Sequence, residues 1–123
     1  MSENVVEFLS PAEQQTLLAL ARQSITAAAV GQAAPQLSLD ELPECLRVPR
    51  ACFVTLHLRE TGELRGCTGV LRAVLPLAEE IVRTAAQTAA CDPRFNPVTP
   101  AELPDIAIEI SLLTPARPLA FEC

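Results

Sequence analysis

Residues 52–70, CFVTLHLRETGELRGCTGV, limit the fold more than any other stretch of the chain. Two alternating runs flank a Glu-Thr-Gly turn, the pattern of a β-hairpin. Loop length sets the register, and a slip of one residue would turn every side chain to the other face. A two-residue loop at Thr61-Gly62 sets Leu58 opposite Arg65 and Leu56 opposite Cys67, which mixes apolar and charged residues on one face. A three-residue loop, with a type I turn and Gly62 as a left-handed bulge, pairs Leu58 with Leu64, Leu56 with Gly66, Val54 with Thr68 and Cys52 with Val70. That face is almost wholly apolar and is the one expected to meet the core. The second face carries Phe53, Thr55, His57, Arg65, Cys67 and Gly69, with Arg65 opposite His57, Cys67 opposite Thr55, and Cys67 diagonal to His57.

Regular elements flank the hairpin. Ser10 at N-cap, Pro11 at N1 and Glu13 at N3 form a capping box before a helical stripe of Leu17, Leu18, Ala21, Ile25 and Ala28, and Gly31 is a plausible stop. Residues 33–51 hold three prolines and read as a loop with one short helical turn. After the hairpin, Leu75-Pro76 opens a second helix whose buried stripe is Leu77, Ile81, Ala85 and Ala89, and Asp92-Pro93 ends it. A proline-rich loop follows. Residues 106–113 then alternate, with Ile106, Ile108, Ile110 and Leu112 on one face and Glu109 and Ser111 on the other. The order helix, hairpin, helix, strand predicts an α+β fold: a mixed or antiparallel sheet with a hairpin and flanking helices on one face.

At 123 residues the chain is expected to be a single domain, 1–123, and with 50% hydrophobic residues it can build a core. The net charge of −6 argues against nucleic acid and anionic membranes. Arginines 47, 50, 59, 65 and 72 stand against Glu60 and Glu63, however. This is a +3 island in a remainder of −9, centred on the hairpin. It could hold a small anion, or its arginines could simply pair with neighbouring acids. The N-terminus has no basic stretch before an apolar run, and no segment is apolar for long enough to span a bilayer, which points to the cytoplasm. The five cysteines are odd in number and lack C-x-x-C spacing, so neither a disulfide framework nor a metal site is expected, and no cofactor is called for.

The chemistry-bearing residues cluster around Cys67. A thiol near an imidazole or a guanidinium becomes a nucleophile, and His57 and Arg65 are close in the expected register. Gly66 and Gly69 would leave the strand open to a ligand. Asp92 and Arg94 lie just after the second helix, and Glu109 and Ser111 face the same way on the last strand. Each has a plainer reading: a buried cysteine that packs as a small hydrophobe, strand glycines that accommodate a crossing helix, and an Asp92–Arg94 pair that only closes a turn.

Three blocks in order, LRGCTG, DPRF and IEISLLTP, resemble the AMMECR domain family, whose prokaryotic members are called AmmeMemoRadiSam system protein A. The resemblance runs from about Phe53 to Pro118. It implies an α+β fold with a cleft lined by Leu64, Arg65, Gly66, Cys67, Gly69, Asp92, Pro93, Arg94, Phe95, Glu109 and Ser111. It also implies Memo-like and radical-SAM proteins as partners in an uncharacterised modification pathway. Thr68 stands where the family usually has Ile, so a core-facing hydroxyl needs a partner. Family members also continue past the equivalent of Cys123, so a C-terminal portion is expected to be lacking, and an uncovered sheet edge favours a homodimer.

The leading expectation is a cytosolic accessory or binding protein that holds a small anionic ligand or a partner segment. Arg65 would bind the anion, Gly66 and Gly69 would give access, and Glu109 would orient Arg65 or Arg94. The enzymatic alternative is a cysteine-dependent transferase or hydrolase with Cys67 as nucleophile and His57 as base. Nucleic-acid binding through the arginine island ranks last, because aromatics that could stack are scarce.

Overall fold

The computed structural model describes residues 4–6 and 9–113. Its strands are β1 (Asn4–Val6), β2 (Cys52–Leu58), β3 (Leu64–Val70) and β4 (Ile106–Leu112), and its helices are α1 (Pro11–Ala29) and α2 (Leu77–Cys91). Each helix starts where its sequence signals place it. The Ser10 hydroxyl accepts from the Glu13 N–H at 3.2 Å, and Glu13 accepts in turn from the Ser10 N–H at 2.9 Å. Helix α1 ends at Ala29, two residues before Gly31 turns left-handed at φ 75°. Helix α2 runs from Pro76 at its N-cap to Asp92, which is already extended ahead of Pro93.

The sheet order is β1-β4-β2-β3. β4, β2 and β3 are antiparallel neighbours, and β1 adds in parallel beside β4. The fold is thus α+β, as expected, with one short parallel strand that the sequence pattern did not predict. Both helices pack on one face, against Cys52, Val54 and Leu56 of β2 and Ile106, Ile108 and Ile110 of β4, all fully buried. Leu17, Ala21 and Ile25 of α1 and Leu77, Ile81 and Ala85 of α2 complete this core. Arg22 ties α1 to the start of β4 through the carbonyls of Leu103 and Ile106, at 3.1 and 2.7 Å. In the loop between α1 and β2, Leu39–Glu41 and Glu44–Leu46 form two 3-10 turns rather than one. Pro100–Asp105 forms a third, within what reads as a plain proline-rich loop.

The hairpin register is the three-residue-loop one from Cys52↔Val70 through Leu56↔Gly66, with Gly62 left-handed at φ 77°. The register then shifts by one, so that His57 pairs with Leu64. Arg65 is the extra residue on β3, a β-bulge. The expected pairs Leu58–Leu64 and Arg65–His57 are therefore corrected. The bulge re-aims Arg65 away from His57, keeps Gly66 to Val70 on their expected faces, and leaves Leu64, expected in the core, exposed opposite His57.

Candidate functional site

The face of the sheet opposite the helices carries Thr55 in its middle, with Cys67 beside it on β3 and Glu109 beside it on β4. His57 follows two residues along β2 on the same face. Its Nε2 lies 3.2 Å from Glu109 Oε1, and its side chain is only 19% exposed. Its Nδ1 is buried and has no hydrogen-bond partner. A carboxylate only accepts, so the neutral ring holds its proton at Nε2 and its lone pair at Nδ1. The Cys67 thiol lies 3.2 Å from the Thr55 hydroxyl, and the register places it diagonal to His57.

Among the described residues β3 is an edge strand, with no described strand beside its outward backbone groups. At Cys67 they are met by side chains instead. Asp92 Oδ2 accepts from the Cys67 N–H at 3.0 Å, and Arg94 Nη2 donates to the Cys67 carbonyl at 3.2 Å. Arg94 also grips both oxygens of Asp92, Nε on Oδ1 at 3.1 Å and Nη2 on Oδ2 at 2.8 Å. The guanidinium holds the Asp92 carboxyl far below the usual carboxylate range; burial opposes this, and the Cys67 N–H adds to it. Asp92 is 4% exposed.

Arg65 is not available to an anion. Its Nε and Nη2 form a fork on Glu102 at 2.9 and 3.0 Å, and its side chain is 12% exposed. Arg65 holds Glu102 at a pKa of about 2. The expectation that Glu109 orients Arg65 or Arg94 is corrected too: Glu109 serves His57, and each arginine has its own acid. Phe95 lies between the two guanidinium groups, 5.8 Å from that of Arg65 and 5.4 Å from that of Arg94.

Neither glycine opens the strand. Gly66 is buried on the core face, where a Cβ would lie 3.1 Å from Thr88 Cγ2, so it lets α2 approach. At Gly69 a Cβ would lie 2.5 Å from both the Cys52 carbonyl and the Phe53 ring, so that position is closed by its cross-strand neighbour. Ser111 pairs with Phe53 one step further along the same face as Glu109. The core-facing hydroxyl of Thr68 finds its partner in Thr88, at 2.6 Å. Glu102 is the contributor that sequence reasoning gave no role, and Phe95 entered only through the family resemblance. The TPAE pattern at Thr99–Glu102 repeats the SPAE pattern at Ser10–Glu13 and could have flagged the turn that carries Glu102.

The AMMECR1 family model matches residues 18–122. The chain belongs to the AMMECR1 family. It is 43% identical over 114 residues to a protein of Methanothermobacter thermautotrophicus, covering 93% of this chain and 58% of that one. It is 38% identical over 116 residues to one of Methanopyrus kandleri, covering 92% and 54%. The crystal structure of an uncharacterised protein from Pyrococcus horikoshii superposes with a TM-score of 0.77 at 31% identity, covering 87% of this chain and 54% of that chain. The chain thus spans about half the length of the curated relatives it matches. In this AMMECR1-family chain the three blocks are one contact set: DPRF grips the backbone of LRGCTG, and the glutamate of IEIS holds the histidine two residues beyond Thr55. Among the described residues no group of three or more His, Cys, Asp and Glu could hold a metal, and no helix is long and apolar enough to cross a membrane.

Proposed function

We propose that this sheet face carries thiol chemistry, with Cys67 as nucleophile, His57 as its base and Glu109 as the group that orients the base. The state of the His57 ring carries the reading. Glu109 fixes Nε2, and the lone pair at Nδ1 is kept dry without a donor, an arrangement that costs free energy unless something uses it. The ring shares the sheet face with Cys67, which stands diagonal to it in the register with no hydrogen bond joining the two, and a thiol with a base to draw on is the minimum unit of covalent catalysis. In the first step the Cys67 proton passes to Nδ1 and the thiolate lone pair forms a bond to an electrophilic carbon. The leaving group departs with the bonding electrons and takes the proton from His57. Resolution by water makes a hydrolase, and resolution by a second nucleophile a transferase. Among the arginines of the motif, Arg65 is committed to Glu102, so anion binding there has less support.

The test is the alkylation rate of Cys67 against pH, read by peptide mass spectrometry on the folded chain. Fast reaction well below the ordinary thiol range near pH 8.5, lost in His57→Gln and weakened in Glu109→Gln, is expected. A Cys67 that reacts only on unfolding, or a profile unchanged in His57→Gln, ends the reading. Family membership further supports a cytoplasmic accessory role beside Memo-like and radical-SAM proteins. Separate elution of the chain from both after co-expression would remove that part.

A further inference from the structure

The carboxylate at the end of α2 is in an unfavourable place for the helix. A negative charge at a helix C-terminus opposes the macrodipole, and this one is buried as well. Both its oxygens are in use, by the Arg94 side chain and by the backbone N–H groups of Cys67 and Arg94. The same ion pair that accepts from the Cys67 N–H donates to the Cys67 carbonyl. This is what the facing residue of a neighbouring antiparallel strand does, an N–H and a C=O of one residue satisfied together. It occurs at one point of the edge, the residue that bears the thiol.

We infer that Asp92 and Arg94 are positioning residues for Cys67: their ion pair takes the place of a facing strand residue, fixes the backbone that aims the thiol, and neutralises the carboxylate that lies beside it. This deepens the thiol reading and rests on it. It replaces the ligand-binding role expected for Asp92 and Arg94 from sequence. Thr55 meets the thiol directly, His57 and Glu109 share its sheet face further along β2 and β4, and Arg94 reaches the Cys67 carbonyl from the loop after α2. Arg94 is held above its ordinary value chiefly by Asp92. The pair supplies geometry, and Arg94 keeps the carboxylate beside Cys67 neutralised; the two roles can be separated by substitution.

Two measurements on the whole chain test this. The first is amide hydrogen exchange at Cys67 in Asp92→Ala. It is expected to quicken by about tenfold or more, while the amides of Leu56 and Ile108 stay within a few-fold of wild type. The second is the pH profile of Cys67 alkylation in Arg94→Gln and Arg94→Lys. The glutamine variant leaves Asp92 unneutralised beside the thiol, and the rate at neutral pH is expected to fall about tenfold. Lysine keeps the charge without the fork and is expected to restore most of it; a purely structural clamp would lose the two variants alike. Unchanged exchange at Cys67 in Asp92→Ala overturns the inference, and so does an Arg94→Gln profile that coincides with wild type. An inert Cys67 in the wild type defeats the thiol reading instead, and the exchange measurement then still decides the clamp.

Discussion

At the scale of single residues the site and the core are joined through hydroxyls and glycines. Thr88 donates to the Thr84 carbonyl at 2.8 Å, so its oxygen is left to accept from Thr68 at 2.6 Å. The two threonines are therefore not equivalent. Thr88→Val strands the Thr68 hydroxyl, with only a 3.5 Å approach to the Thr84 carbonyl remaining, and should cost about 1–3 kcal/mol. Thr68→Val removes the group in need, leaves the Thr88 bond intact and should cost less. Urea unfolding of both variants and the double variant checks the order. The glycines make a second pair. Gly66→Ala brings a Cβ to 3.1–3.2 Å from Thr88, which a small shift of α2 can relieve, at a cost of about 1–3 kcal/mol. Gly69→Ala would place its Cβ at 2.5 Å from a backbone oxygen of β2, which no rotamer relieves. It should be the more destabilising of the two, and equal midpoints in urea would contradict the close approach.

At the scale of elements the turn at Pro100–Asp105 is a brace for β3. Glu102 Oε1 accepts from the Thr99 N–H at 2.9 Å and, together with Oε2, takes the Arg65 fork. Its pKa is about 2 in the folded chain against an ordinary 4.5. A depressed carboxylate contributes stability that is full above its unfolded pKa and is lost as pH falls through its folded one. Wild type should therefore lose stability between about pH 4.5 and 2 relative to Glu102→Gln, and the two urea midpoints should converge through that window. Parallel curves from pH 6 to 2 would show that the fork is not maintained in solution. The helices, the final strand and most of the hairpin were legible in the sequence because their signals are local: a capping box, a period of 3.6, a period of 2, a proline stop. The bulge was not: the Leu58 N–H closes the turn on the Glu63 carbonyl, one residue longer than the three-residue loop, and Arg65 is the residue that absorbs the difference. β1 was not, because three residues carry no period and their partner is β4, at the other end of the chain. The same limit held at the site. Its face could be read from alternation, which puts Cys67, Thr55, His57 and Glu109 on one side of the sheet. Which acid meets which base could not, since strand order decides it, and β4 inserts beside β2 on the side away from β3.

At the scale of the whole molecule the cysteines report on different layers of one fold. Cys91 is exposed at the end of α2, Cys67 is half-buried on the sheet face, and Cys52 is fully buried beneath α2. Burial, with the negative charge of Glu80 adding to it, pushes the Cys52 thiol up to about 12. Cys45 is pushed up to about 11, first by desolvation and then by Glu13, its neighbour from the first turn of α1. Because the thiolate is the reacting form, these values and burial predict an order of labelling on the folded chain at pH 8: Cys91 early, Cys45 slowly, Cys52 last. Cys52 is the first residue of β2, opposite Val70 and Leu112 at the end of the sheet, and is held fully buried beneath α2. Its labelling rate should equal the rate expected from global unfolding, and should rise with urea with the slope of the equilibrium transition. Gly69→Ala, which presses on the Cys52 carbonyl, should raise that rate by the same factor as it shifts the unfolding equilibrium. A Cys52 that labels faster than the global transition allows would mean that β2 can separate from α2 while the rest of the sheet holds, and the sheet face bearing Cys67 would then sit on a support that opens independently.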